Sequence, residues 1–178
     1  MIHVKSWTGY GIMVLGDHSV TGGDGVRTPT GIVGEPNSPA LRFEVLISGQ
    51  EQVCHELEAL ADTLPDRIDT LAATVLAEEL YPTLRACQDL EEARIFPAIL
   101  ASGAGLEVTI ARLRAEHIED EDHAVMVAES VMRFVRDPRR ADADRLGFLM
   151  RGLFQPLRRH SAFDRDIVLP LYRRLESG

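Results

Sequence analysis

The sequence predicts an all-α protein, an up-and-down four-helix bundle behind an irregular leading segment, and three observations lead there. The first forty residues hold eight of the fourteen glycines and three of the nine prolines. From Leu41 onward glycine becomes scarce and apolar residues recur three and four positions apart, the spacing of amphipathic helices. Breakers at Leu64-Pro65-Asp66, at Ser102-Gly103-Ala104-Gly105 and from Asp137-Pro138 through Asp144 cut that stretch into four lengths joined by short connections.

Residues 1–40 read as loops with room for one hairpin, around Ile2-His3-Val4 and Gly11-Ile12-Met13-Val14-Leu15. Residues 41–178 read as the bundle. Its first helix, 42–63, carries Leu46, Val53, Leu57, Leu60 and Leu64. The second, 66–100, carries Ala73, Ala77, Leu80, Leu84 and Ile95, with Pro82 expected to kink or split it. The third, 105–136, lines up Leu106, Ile110, Leu113, Ala124, Val127, Val131 and Phe134. The fourth, 144–175, lines up Leu146, Leu149, Leu153, Leu157, Ile167 and Leu171.

Composition narrows the function. With 178 residues, 45% of them hydrophobic, the chain suits one compact domain plus an extension. A net charge of -9 has the wrong sign for binding nucleic acid or for adhering to anionic membranes. There is no apolar run long enough to span a bilayer, and the first residues lack a basic end followed by an apolar block. A soluble cytoplasmic protein is expected. Cys54 and Cys87 are the only cysteines, too few for a disulfide framework. One bridge between them is the alternative to two separate buried thiols in a reducing compartment.

The informative residues are polar ones that interrupt the apolar stripes. In the fourth helix the stripe passes through His160 and Asp164 before it turns apolar again. In the third it passes through His117 and Glu121, and the second sets Cys87 and Glu91 between Leu84 and Ile95. Carboxylates inside a bundle cost several kcal/mol unless they are paired or bound to a cation. Three of them converging with two imidazoles point to a shared metal. Cys87-x3-Glu91-x5-Pro97 also returns 73 residues later as His160-x3-Asp164-x5-Pro170. Such a repeat predicts two helical hairpins facing each other, with Glu91 and Asp164 on opposite sides of one cavity. His123 lies about 120° from His117 around its helix and is expected at the surface or at a helix contact. His3 and His18 fall in the glycine-rich segment, where either is an exposed loop residue or reaches over the mouth of the bundle.

Glu91-Glu92-Ala93-Arg94-Ile95-Phe96-Pro97, Leu113-Arg114-Ala115-Glu116-His117 and His160-Ser161-Ala162-Phe163-Asp164 with Leu169-Pro170 resemble the hemerythrin and HHE cation-binding family over residues 41–178. The resemblance implies a hemerythrin-like bundle with a non-haem diiron centre of histidines and two bridging carboxylates. Carried over by position, it makes Glu91 and Asp164 the bridges and gives His117, Glu121 and His160 to one metal. The other metal is where the chain departs from the pattern. Cys87 stands in place of a histidine, and Gln50 falls at the ligand position of the first helix. His55 lies about 160° from the Leu57 stripe and is expected to face outward. Either one metal is held by the histidines of the third and fourth helices, or Cys87 or a displaced His55 helps hold a second.

The expected cofactor is iron, one or two ions, ahead of manganese or zinc. The expected partner is a small diatomic ligand or peroxide, bound or sensed at the centre. Two other readings stand beside it: an iron-dependent oxidase or oxygenase acting on a small organic substrate, and a metal-free or zinc-stabilised helical interaction module.

Overall fold

Ser38 opens the first helix. Its hydroxyl accepts from the Leu41 amide at 3.1 Å, and Pro39 follows where a missing N–H costs nothing. The computed structural model describes residues 38–66, 68–138 and 141–178, and no strand occurs among them. The expected hairpin, His3 and His18 lie outside the described residues. The helices are α1 (Pro39–Thr63), α2 (Thr70–Leu90), α3 (Phe96–Ala101), α4 (Glu107–Arg136), α5 (Ala143–Phe163) and α6 (Leu169–Glu176). One turn of π-helix, Glu91–Ile95, joins α2 to α3, and a second, Asp164–Val168, joins α5 to α6. The six helices therefore make four rods. Asp69 and Asp142 cap α2 and α5 through their carboxylates. Gly103 and Gly105 take positive φ in the turn before α4, a conformation that suits glycine.

Around the bundle α1 packs on α2, α2 on α4, α4 on α5 and α5 back on α1, while α3 meets α6 at one end. This is the up-and-down arrangement that the short connections predict. Pro82 lies inside α2 without splitting it. The irregularity comes nine residues later, where the Phe96 amide bonds the Glu91 carbonyl five residues back. The Leu169 amide does the same to Asp164. In each case the next residue is proline, Pro97 or Pro170. Proline has no N–H for the carbonyl four residues back, and its ring collides with that carbonyl in a regular helix, so a wider turn relieves both problems.

The extra residue of each π turn advances the helix face by roughly one position. The fourth stripe is corrected accordingly: Ile167 is 46% exposed, whereas Val168, Leu169 and Tyr172 are buried, with Leu171 only partly so. Leu149 is likewise partly buried and Met150 fully so, and on α1 Phe43, Ile47 and Ala61 are buried deeper than Leu46, Leu60 and Leu64.

The core falls into two apolar lobes. One gathers Leu57, Leu80, Leu84, Val127, Leu153 and their neighbours, and the other gathers Phe43, Ile47, Phe96, Ile99, Leu113 and Val168. Between them runs a polar layer. The buried polar residues among those described are Gln50, Gln88, Glu91, His117, Asp120, His160, Ser161 and Asp164, and along each rod they fall where one lobe gives way to the other. No helix among the described residues is long and apolar enough to cross a membrane.

Candidate metal centre

The two π turns supply Glu91 and Asp164 to the layer, and α4 and α5 supply its imidazoles. Glu91 and Asp164 each sit at the first position of a π turn and are fully buried. His117 comes from the middle of α4 and His160 from the end of α5. Ligand atoms of Glu91, His117 and His160 all lie within 4.8 Å of one another. His117 Nε2 is 3.3 Å from Glu91 Oε2, and His160 Nε2 is 3.7 Å from Glu91 Oε1 and 3.4 Å from Asp164 Oδ2. The two imidazoles stack at 5.1 Å, and Phe96 stacks on the outer face of His117 at 5.7 Å. Phe96 thus holds His117 in place with a face that offers no competing donor.

None of this closes into hydrogen bonds. Both oxygens of Glu91, both oxygens of Asp164 and both nitrogens of each histidine are buried without a hydrogen-bond partner. Buried groups of this kind are nearly always paired, and each one left unpaired costs about 1–3 kcal/mol, more when charged.

The protonation pattern shows the same imbalance. Burial pushes the Asp164 carboxyl well above the usual range, helped by the charge of Glu91. Burial acts on Glu91 too, but His117 and His160 outweigh it and hold that carboxyl below its ordinary value. Burial opposes the charged form of His160 as well, yet Glu91 and Asp164 bring its imidazole up to about 9. Of the carboxyl pair one keeps a charge and the other keeps a proton, and a protonated imidazole balances what is left. A divalent cation would replace those protons and give the carboxylates and the inward-facing Nε2 atoms a partner, so the donor set fits a metal.

Glu121, expected to face inward, does so only in part. It lies between α2 and α4, where Arg85 reaches its carboxylate at 2.5 Å and the Tyr81 hydroxyl donates to it at 3.4 Å. Asp120 is the buried acid of that turn, 7% exposed, with its carboxyl pushed up to about 6 by burial. The buried positions of α4 run 110, 113, 117, 120, 124, 127, 131 and 134. A strict alternation of three and four from Ile110 would have pointed to Asp120.

The structure also places the residues expected at the second site. Gln50 is buried, and its Oε1 accepts from the Ser161 hydroxyl at 3.1 Å. His55 is exposed beside Arg158 and Arg165, facing outward as its helical angle predicts. Cys87 is fully buried close to the layer, and burial, then the charges of Glu91 and Asp164, keep its sulfur a thiol. Cys54 is buried in the other lobe with its thiol pushed up to about 12, and both cysteines are free. His123 lines a helix contact, its ring against Gly152, where a Cβ would come within 3.0 Å of it.

A cavity of about 580 Å³ opens between α4 and α5. Its walls include Glu116, Asp120, His123 and His160, with Arg112 and Arg159 also lining it. Through His160 it reaches the donor cluster.

Four rods enclosing a buried layer of imidazoles and carboxylates define a metal-binding helical protein. A family model described as the hemerythrin HHE cation binding domain matches residues 49–172, and the chain belongs to that family. Comparison with curated proteins and with solved structures gave no match.

Proposed function

We infer that this protein holds one iron ion among Glu91, His117, His160 and Asp164 and uses it to bind or sense dioxygen, nitric oxide or peroxide. The observation that carries the reading is the orphaned donor set: two imidazoles and two carboxylates, buried and unbonded, presented by three rods. Mixed nitrogen and oxygen donors suit iron or manganese better than a thiolate-rich zinc site. One ion is favoured over two because α1 brings Gln50, already bonded to Ser161, and α2 brings a protonated Cys87.

Iron bound there supplies reversible one-electron chemistry and a coordination position for a small ligand. The protein supplies the rest. Glu91 and Asp164 balance the cation's charge, the apolar lobes keep bulk water away, and the α4/α5 cavity gives a small molecule access to the His160 side. Asp120, titrating near 6 on the wall of that cavity, can take up or release a proton close to neutrality.

The test is metal content. The purified protein should carry close to one iron per chain, and near-ultraviolet bands should shift with azide or nitric oxide. His117→Ala and His160→Ala should each lose most of the metal. Full retention by both would overturn the centre, and zinc or no metal in the parent would favour an interaction module. The cavity, within the size range of small-molecule sites, supports a second reading as an iron-dependent oxidase or oxygenase. Reductant consumption that depends on an added organic substrate would select it over ligand binding.

A further inference from the structure

We propose that Glu92 and Glu116, which lie outside the donor cluster, are positioning residues that set the tautomer and orientation of the two imidazoles. The inference rests on the reading that His117 and His160 hold the metal. Both rings turn the same nitrogen inward. Nε2 of His117 faces Glu91, and Nε2 of His160 faces Glu91 and Asp164. Both also turn the same nitrogen outward onto a second carboxylate, with His117 Nδ1 3.4 Å from Glu92 Oε1 and His160 Nδ1 3.5 Å from Glu116 Oε2. An ionised carboxylate only accepts. With a cation on the Nε2 side, a neutral imidazole carries its proton on Nδ1, where the outer carboxylate accepts it, and keeps the Nε2 lone pair directed at the centre, as a metal ligand requires.

Each glutamate is itself held from behind. Arg114 Nε reaches Glu92 Oε2 at 2.8 Å, and the Arg114 guanidinium lies 5.9 Å over Phe96, the ring stacked on His117. Arg112 Nε reaches Glu116 Oε1 at 3.1 Å, one turn along α4. Two chains of the form arginine, glutamate, histidine thus converge on the centre from its rim. The glutamate side chains are 38% and 37% exposed, which spares them the full cost of burial. Their separations from Nδ1 exceed a full hydrogen bond by a few tenths of an ångström, and Nδ1 of each ring has no other partner. A carboxylate rotation of that size completes each chain.

The experiment compares the parent, Glu92→Gln, Glu116→Gln and His160→Ala, loaded with zinc as a diamagnetic probe. Long-range proton–nitrogen NMR of the zinc-loaded parent should show both histidines bound through Nε2 and protonated at Nδ1. Competition with a chelator should show each glutamine variant binding zinc about 10- to 100-fold more weakly, with the helical content of the metal-free protein unchanged. Zinc on Nδ1 of either ring would overturn the inference. So would glutamine variants that bind like the parent while His160→Ala loses zinc, a result that leaves the centre intact. Zinc retained by His160→Ala would overturn the centre and this inference together.

Discussion

Burial holds the Asp120 carboxyl at about 6 in the folded chain, above its ordinary 3.8, and a pH dependence follows. Below the ordinary value both states are protonated and the group costs nothing. As pH rises toward 6 the unfolded chain ionises first, so stability falls, and above 6 the loss is complete. Asp120→Asn removes this ionisation. The variant should match the parent near pH 4 and exceed it at pH 7 by about 1–2 kcal/mol in urea denaturation of the metal-free protein. A gap that shrinks with rising pH would contradict the assignment. Asp120 also marks the limit of reading single residues from sequence. His117, His160, Glu91 and Asp164 were legible because each interrupts an apolar stripe and two of them recur in the repeat. Asp120 and Glu121 are adjacent and both border the stripe, and only packing decides that one is buried while the other meets Arg85.

At the level of elements, the two π turns present Glu91 and Asp164 to the layer. Pro97 and Pro170 each deny a donor to a regular helix where that turn ends. Replacing both by alanine restores the N–H and lets the helices close with ordinary four-residue bonding. Glu91 and Asp164 should then rotate away from the imidazoles. The Pro97→Ala/Pro170→Ala variant should keep its helical circular dichroism while binding metal at least tenfold more weakly by chelator competition. Unchanged affinity would show that the turns form without the prolines. The repeat of Glu91-x5-Pro97 in Asp164-x5-Pro170 was plain in the sequence, as were the rods and their breaks. Its structural meaning was not, because a stripe read at a constant angle per residue has no place for an inserted one. That assumption is what put Ile167 inside.

Over the described residues as a whole, two apolar lobes do the folding and the layer between them works against it. A fully buried, unbonded group of acids and imidazoles destabilises a metal-free chain, and apolar residues of similar volume in its place often stabilise by 1–4 kcal/mol. The combined variant Glu91→Leu, His117→Phe, His160→Leu, Asp164→Leu should therefore raise the unfolding free energy of the metal-free protein by roughly that amount. It should also erase any stabilisation by added iron or zinc. A less stable variant would mean that the layer already satisfies itself without a cation.

One asymmetry of this layer has a mechanical side. The donors come from the rods built on α2, α4 and α5, while α1 offers a glutamine side chain already engaged with Ser161. An ion seated there would stitch three staves of the barrel together and leave the fourth tied by apolar packing, the Gln50–Ser161 bond and ion pairs such as Glu58–Arg158 and Glu44–Arg173. Parting the seams along α1 would break those contacts and no coordination bond.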